Sequence, residues 1–295
     1  MTLTQSFTLG SLHCHLLEGG RLRLDGGAMF GVVPKPLWSR KAEPDDRNRI
    51  QLAMRCLLIE HPDGLVLVDT ALGDKEDEKF RDIYAVENEG RPGPTRLEDA
   101  IREAGFAPGD VRWVINTHLH FDHAGGNTVV GPGGSAPIVA FPNATYVVQR
   151  KELEFARHTN ERTRASYMAP NFEPVAAAGK WRLLDGESEI LPGIHARLTP
   201  GHVPWHQSLV LRSGGETAVF LGDVAPTSAH LPLAYIMGYD LEPLRTLEAK
   251  RTLLADAVRD GWWLIFEHDP DVAMGRAVVD GKGTGLAEVR GRPGS

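Results

Sequence analysis

The sequence predicts an α/β fold in which two mixed β-sheets pack face to face with helices outside, a four-layer αββα sandwich. One observation behind this prediction is that each half of the chain runs from strand-like segments into a helix and back to a strand. A second is the composition, because 42% hydrophobic and 24% charged residues are typical of a globular core with a charged surface. We expect residues 1–295 to form a single domain, since no linker-like or low-complexity segment divides them.

Strand signals and one well-marked helix organise the first half of the chain. Residues 55–59 and 65–69 are β-rich runs joined by a His-Pro-Asp-Gly turn, which indicates two strands. Thr95 and Glu98 have the capping-box spacing of a helix start, and Gly105 stands where that helix should end. Residues 111–116 then form a short predicted strand that leads directly into a cluster of histidines.

The second half repeats this order. The predicted strands are residues 145–149, 181–184, 194–198, 208–212, 217–221 and 262–266, with a hairpin over Gly214 and Gly215 between the fourth and fifth. The predicted helices are 151–157 and 242–259, the second with Leu244, Leu247, Leu254 and Val258 on one face. Residues 81–93 and 131–137 are predicted to be loops within the domain.

Charge, cysteine content and hydropathy narrow the function classes. The formal net charge of −7 argues against nucleic-acid binding, which usually needs a basic surface. We recognise neither a signal peptide nor an apolar run of membrane-spanning length, so we expect a cytoplasmic protein without a membrane partner. Cys14 and Cys56 lie in apolar strand-like runs and are expected to be buried free thiols.

The segment after the strand at 111–116 carries four potential metal ligands within six residues. These are His118, His120, Asp122 and His123. Zinc binds nitrogen and oxygen ligands at about 2.0–2.2 Å, so its ligands have to converge from a short, tightly turned segment. Side chains two apart on extended chain point to the same side, and the two that follow on the turn can face a second position. The cluster therefore predicts a site for two metal ions about 3.5–4 Å apart.

Three further ligand candidates each follow a predicted strand. They are His202 in a Thr-Pro-Gly-His turn, Asp223 after Phe-Leu-Gly, and His268 after a buried strand. Irregular backbone at strand ends can present side chains to a cleft. A lone histidine is more often a hydrogen-bonded residue than a ligand, and we interpret six of the other seven in that way: His13, His15, His61, His158, His195 and His206.

Together these residues resemble the metallo-β-lactamase superfamily, whose signature is His-x-His-x-Asp-His. The resemblance extends from about Leu57 to Asp269 and is greatest to the quorum-quenching lactonase and organophosphate (methyl parathion) hydrolase branches. It implies that His118, His120 and His202 hold one ion, that Asp122, His123 and His268 hold the other, and that Asp223 bridges them. Asp69 matches an early aspartate that orients the ligands.

The resemblance implies a hydrolase in which a hydroxide bridging two divalent ions attacks an ester, with Asp122 and Asp223 as catalytic residues. We expect zinc, with iron, cobalt and manganese as alternatives. The preferred substrates are N-acyl homoserine lactones or related carboxylic esters, and an organophosphate phosphotriester is the alternative. A glyoxalase-type thioesterase, a β-lactamase and a non-catalytic metal-binding protein are less favoured, the last because structural zinc sites are usually rich in cysteine.

Two apolar segments are candidates for the substrate wall. The first covers residues 25–40 and includes Met29, Phe30 and Trp38; ordinary packing or a homodimer contact are its alternative uses. The second covers residues 231–239.

The lactonase branch carries a tyrosine three residues after the bridging aspartate, and this chain has Pro226 there. We expect His230, Tyr235 or Tyr239 to reach the site in its place.

Overall fold

The computed structural model describes residues 2–281 and 283–293, and within these ranges the chain forms sixteen strands and eight α-helices. The strands are β1 (Thr4–Leu9), β2 (Leu12–Asp25), β3 (Arg49–Glu60), β4 (Leu65–Val68), β5 (Val111–Ile115), β6 (Thr128–Gly131), β7 (Ser135–Val139), β8 (Thr145–Gln149), β9 (Trp181–Leu184), β10 (Ser188–Leu191), β11 (Ile194–Leu198), β12 (Gln207–Ser213), β13 (Glu216–Phe220), β14 (Trp263–Ile265), β15 (Val272–Asp280) and β16 (Gly283–Gly291). The helices are α1 (Gly26–Phe30), α2 (Lys35–Trp38), α3 (Glu78–Tyr84), α4 (Arg96–Glu103), α5 (Phe121–Ala124), α6 (Arg150–Arg157), α7 (Glu173–Ala177) and α8 (Pro243–Asp260).

The strands of the described ranges form two mixed sheets of seven strands and a short β6–β7 hairpin. The first sheet has the order β1-β2-β3-β4-β5-β8-β9, antiparallel as far as β4 and parallel from β4 onward. The second has the order β10-β11-β12-β13-β14-β15-β16, with one parallel pair, β13 and β14. The predicted αββα sandwich of two mixed sheets is therefore confirmed.

Side chains that alternate between the two faces of each strand form the apolar layers between and outside the sheets. In β3, Leu57 and Ile59 pack between the two sheets, whereas Cys56 and Leu58 face the helices on the outside of the first sheet. Successive side chains of a strand point to opposite faces, so a strand buried on both faces is apolar throughout. Helix α8 covers the outer face of the second sheet through Leu253 and Leu254. Within the described residues, none of the helices is long and apolar enough to span a membrane.

Several predicted elements differ from the structure. The predicted loop at 81–93 begins inside α3, which Asp77 caps by accepting a hydrogen bond from the Phe80 N–H, 2.8 Å. The predicted loop at 131–137 contains the turn of the β6–β7 hairpin at Pro132–Gly134, but it also includes the last residue of β6 and the first three of β7. Leu244 lies at the exposed start of α8 rather than on its buried face, since 77% of its surface is accessible. Cys14 and Cys56 are buried free thiols, as expected.

The segment 25–40 folds as two short helices. The Phe30 ring stacks between those of Trp38 and His230, with centroid distances of 5.4 and 4.7 Å. All three rings are buried, so they join α1 and α2 to the loop after β13. Val32, by contrast, is 92% exposed. The homodimer contact considered for this segment stays a prediction.

A buried lysine holds the second apolar segment in place. Lys250 of α8 donates hydrogen bonds to the carbonyl oxygens of Pro232 and Tyr235, at 2.9 and 2.7 Å. Burial lowers the pKa of its ammonium from 10.5 to about 7, against the opposing effect of Asp240. The segment that follows these two carbonyls reaches the functional site through Met237 and Tyr239.

We expect the stability of the protein to rise with pH because of Lys250. Between pH 7 and pH 10 the unfolded chain keeps a proton that the folded chain has released, so raising the pH favours the folded state. The expected slope is up to about 1.4 kcal/mol per pH unit. Urea denaturation at pH 7, 8 and 9 measures it, and a Lys250→Met variant should lack this contribution. Equal pH slopes for the two proteins would contradict the prediction.

Candidate metal centre

Strand ends at facing edges of the two sheets carry the candidate site. β4 and β5 are parallel, as are β13 and β14, and the carboxyl ends of parallel strands meet at one edge of a sheet. Helix α5, a single turn directly after His120, turns Asp122 and His123 away from the extended segment before it. The structure brings all seven predicted ligands together in two adjoining groups: His118, His120, His202 and Asp223 in one, and Asp122, His123 and His268 in the other.

In the first group, three imidazoles and a carboxylate converge. His202 Nε2 lies 3.1 Å from His120 Nδ1 and 3.0 Å from Asp223 Oδ2. The His118 ring lies beside both imidazoles, with centroids 4.5 Å from His120 and 5.0 Å from His202. Four donor atoms from three separate segments of chain are thus directed at one point.

In the second group, His123 Nε2 and His268 Nε2 face each other at 3.0 Å. Asp122 lies beside them, with carboxylate oxygens 3.9 Å from His123 and 3.8 Å from His268. Asp223 joins the two groups, because its Oδ1 lies 3.2 Å from His268 Nε2 while its Oδ2 faces His202. One carboxylate therefore contacts both sets of imidazoles, as a bridging ligand does.

Asp69 supports both groups from behind. It is fully buried directly after β4, in left-handed backbone with φ of 54°. Its carboxylate accepts hydrogen bonds from the Thr117 N–H and hydroxyl, both at 2.7 Å, and lies 3.1 Å from His123 Nδ1. A carboxylate at this nitrogen fixes the ring so that Nε2 points into the cluster. Strain in the backbone of a buried polar residue is typical of a functional site.

A second carboxylate, Glu267, lies 3.0 Å from the same His123 Nδ1. It is fully buried, and burial together with the charge of Asp69 raises its pKa well above the usual range. The sequence prediction did not include this residue, because a glutamate next to a ligand histidine has no distinctive spacing.

Electrostatics hold three of the donors in the form that binds a cation, whereas nearby carboxylates, against the effect of burial, raise the pKa values of His123, His202 and His268. Burial, reinforced by the neighbouring histidines, holds the pKa values of His118 and His120 well below their usual range, so both are neutral. Burial alone would raise the pKa of Asp223, but the surrounding imidazoles, His202 above all, hold it well below its usual value. Neutral imidazole and ionised carboxylate are the forms that ligate metals.

Unpaired buried atoms test whether a cation fits. In the described part of the chain, His118 Nε2 and Asp223 Oδ1 are buried without a hydrogen-bond partner. Buried polar atoms are rarely left unsatisfied, and these two point into the donor clusters. Imidazole nitrogens and carboxylate oxygens are the donor set that zinc prefers when cysteine is absent. The residues present fit two divalent cations.

Two residues that the sequence prediction passed over hold ligands in place. Asp240 accepts a hydrogen bond from His202 Nδ1 at 2.9 Å. His206, predicted to be an ordinary hydrogen-bonded histidine, accepts one from the Asp223 N–H at 3.0 Å through its Nε2. Burial lowers the pKa of His206 to about 3, so its ring is neutral and its Nδ1–H donates to Thr199. Its position four residues after His202 was the signal that could have identified it.

A His206→Phe variant is expected to bind zinc about tenfold more weakly. Phenylalanine keeps a ring in the same space but cannot accept the Asp223 N–H, and loss of a group that orients a ligand typically costs about 10–100-fold in metal affinity. Competition with a chromophoric chelator measures the change. The partly exposed His195, changed to Phe, is the control, and equal affinities in the two variants would contradict the role of His206.

A cavity of about 370 Å³ opens onto the donor clusters. His120, Asp122, His202, Asp223 and His268 form the end of the cavity that meets the donor clusters. Most of its other walls are apolar: Leu24, Ala28, Met29, Leu52, Phe121, Met237 and Leu241. Ala165 and Gly238 also line the cavity, and hydroxyl and guanidinium groups complete the lining: Tyr84, Arg162, Thr163, Ser166 and Tyr239.

The structure separates the five predicted substrate contacts. Met29 lines the cavity. Phe30, Trp38, His230 and Tyr235 do not line it, because they pack around the ring stack behind α1. In the stack, His230 donates to the Met29 carbonyl at 2.8 Å, and burial lowers the pKa of His230 to about 4. An apolar sequence pattern is the same whether a side chain fills the core or lines a cavity, which is why the prediction could not separate the two.

Pro226 contributes its backbone, since its carbonyl oxygen accepts the His268 N–H at 3.1 Å. Tyr239, one of the three residues expected to replace the lactonase tyrosine, lines the cavity together with Tyr84, which was not considered. Burial raises the pKa values of both phenols, and the charge of Asp122 adds to this. Both hydroxyls therefore stay protonated near neutral pH and can donate hydrogen bonds.

Comparison with known proteins agrees with the site. The model of the metallo-beta-lactamase superfamily matches residues 54–268, which include all seven clustered donors. The chain belongs to this superfamily. The match begins in β3 and ends on His268, so it spans both sheets.

Individual members of the superfamily are similar over different lengths. An N-acyl homoserine lactonase from Bacillus sp is 32% identical over 177 residues, 58% of this chain and 63% of the lactonase. The chain thus matches a little under two thirds of that relative's length. The crystal structure of a probable metal-dependent hydrolase from Staphylococcus aureus superposes with a TM-score of 0.87 at 29% identity, covering 96% of this chain and 99% of the other. Bacillus thuringiensis AiiA with N-decanoyl-L-homoserine bound gives 0.64 at 25% identity, covering 89% and 94%.

Proposed function

We propose that this protein is a metal-dependent hydrolase that opens lactones, with N-acyl homoserine lactones or closely related carboxylic esters as substrates. The observation that carries the proposal is the pair of donor groups at the end of a largely apolar cavity. The lactonase relatives, and the acyl-homoserine bound to one of them, support the choice of substrate class.

The proposed site holds two divalent cations, for which zinc suits the donors. His118, His120 and His202 would hold one, Asp122, His123 and His268 the other, and Asp223 would contact both. When bound, such cations supply Lewis acidity that lowers the pKa of a water molecule and polarises the substrate carbonyl.

Side chains that line the cavity would transfer a proton, bind the substrate oxygens and exclude water. The Asp122 carboxylate belongs to the second donor group and also lines the cavity, where it can accept a proton and return it to the leaving oxygen. The protonated Tyr84 and Tyr239 hydroxyls can donate to the ester oxygens. Met29, Leu52 and Met237 exclude water from the acyl chain. A lactone suits this geometry because its leaving oxygen remains tethered.

The test is a panel of substrates on the zinc-loaded protein. It contains N-acyl homoserine lactones of several chain lengths, simple γ-lactones, an aryl ester and an aryl phosphotriester, compared by kcat/KM. We expect the lactones to give the highest values and longer acyl chains to lower KM, because they bury more apolar surface. A preference for the phosphotriester would replace the proposal with organophosphate hydrolysis. Failure to turn over any member of the panel with two ions bound would reject the hydrolysis of lactones, carboxylic esters and phosphotriesters.

A further inference from the structure

A buried carboxylate that the proposed reaction does not use lies behind the ligand-bearing loop. Glu152, in the first turn of α6, is fully buried. Its Oε1 accepts a hydrogen bond from the backbone N–H of Leu119 at 3.0 Å. Leu119 stands between the two ligands His118 and His120, so this bond holds the backbone that presents both imidazoles.

The same oxygen also holds one wall of the cavity. Glu152 Oε1 accepts the Tyr167 hydroxyl at 2.8 Å. Tyr167 directly follows the segment that supplies Arg162, Thr163 and Ser166 to the cavity lining. The Tyr167 ring also meets the His120 ring edge to face, with centroids 4.7 Å apart.

We propose that Glu152 is a positioning residue that fixes the ligand loop and the 162–167 cavity wall to each other through one shared acceptor atom. The Phe121 N–H, which donates to the Ser166 carbonyl at 2.9 Å, is a second tie between the same two segments. Leu119 and Tyr167 are buried with Leu153 and Phe172 in one apolar cluster. Without Glu152 Oε1, the Leu119 N–H and the Tyr167 hydroxyl would therefore be left without a hydrogen-bond acceptor and shielded from water. Displacement of either segment would therefore move the other. The inference rests on the proposed function only for the identity of the substrate.

Only one of the two carboxylate oxygens of Glu152 is used by the described residues, so substitutions that keep or remove a single acceptor can test its role. Glu152 Oε2 has no hydrogen-bond partner within the described chain, so the role needs one acceptor and not a full carboxylate. Glutamine at this position keeps that acceptor, whereas methionine fills the space without one. Glu154 lies exposed on the same helix, and Glu154→Met is the matched control.

The experiment measures zinc affinity by chelator competition, and amide hydrogen exchange of the 117–121 and 162–167 segments by mass spectrometry, on the full-length protein loaded with zinc. For Glu152→Met we expect about 10–100-fold weaker zinc binding and faster exchange in both segments. Glu152→Gln should stay within about threefold of the wild type, and Glu154→Met should match it.

Tyr167→Phe separates the two parts of the inference and does not depend on the folding of Glu152→Met. It should leave zinc affinity unchanged, speed exchange at 162–167, and raise KM several-fold with little change in kcat. Wild-type zinc affinity and exchange in Glu152→Met would overturn the inference, as would a Glu152→Gln variant as impaired as Glu152→Met. Unchanged exchange at 162–167 in Tyr167→Phe would overturn the link to the wall. Because zinc affinity and exchange need no substrate, these outcomes stand even if no lactone is hydrolysed.

Discussion

Asp223→Asn is expected to lower kcat on the best lactone by on the order of 10³-fold and to reduce bound zinc from two ions per chain to one. The carboxylate directs Oδ2 at His202 and Oδ1 at His268, at 3.0 and 3.2 Å, so each oxygen serves a different donor group. Asparagine keeps a single oxygen and replaces the other with an NH₂ that only donates. The asparagine oxygen can therefore act as a metal ligand in only one of the two donor groups. The NH₂ would face the imidazoles of the other group, where it cannot bind a cation.

Metal analysis of the purified variant and steady-state kinetics measure the two effects separately. Asp185→Asn is the control, because Asp185 is an exposed carboxylate paired with Arg150 on the surface. If Asp223→Asn held two ions and kept wild-type kcat, Asp223 would not bridge the two groups. Loss of turnover with two ions still bound would show instead that the carboxylate acts on the reaction and not on metal retention.

The ligands could be predicted from the sequence because each stands in a recognisable local setting. Four of them lie within six residues after β5, and imidazoles and carboxylates packed so densely along a chain are typical of a metal site. His202, Asp223 and His268 follow β11, β13 and β14, and these strands run in the same direction in one sheet. Their carboxyl ends therefore meet at one edge. The strand predictions identified the three residues as candidates, and the common direction of the strands in the structure explains why they meet.

The substrate wall could not be predicted in this way. Leu24 reaches the cavity from the end of β2, Tyr84 from the end of α3, and Arg162 from a loop. Their meeting depends on how helices and loops pack over the sheets, and no periodic pattern records that packing. Phe30 and Trp38 show the converse case, since their apolar, glycine-punctuated segment resembled a binding loop and proved to be a packed aromatic stack. Asp240 and Glu152 were missed because a single acidic residue carries no spacing signal.

Removing the metal ions is expected to lower the melting temperature by on the order of 10 °C. A ligand that binds only the folded state at about 1,000 times its Kd stabilises it by about 4 kcal/mol. Two ions would therefore contribute about 8 kcal/mol. For a chain of this size, 1 kcal/mol corresponds to a shift in melting temperature of roughly 1.5–2 °C. The expected shift is set somewhat below the product of these two values because saturation with zinc is incomplete. The donors come from both sheets, so bound ions would connect segments as far apart in sequence as His118 and His268.

Differential scanning calorimetry measures this shift on three samples. These are the zinc-loaded protein, the same sample after dipicolinate treatment, and the treated sample after zinc is restored. The Asp223→Asn variant should show about half of it, since it is expected to retain one ion. Dipicolinate saturated with zinc beforehand controls for direct effects of the chelator.

The arrangement of the donors is the reason to expect this destabilisation. His123 Nε2 faces His268 Nε2 at 3.0 Å, and His120 Nδ1 faces His202 Nε2 at 3.1 Å. His123 Nδ1 faces carboxylates and His268 Nδ1 donates to the Ala53 carbonyl, so when these two rings are neutral both of their facing Nε2 atoms are acceptors. A cation between them would replace this unfavourable contact. A melting temperature unchanged after verified metal loss would mean that protonated histidines replace the ions at no cost.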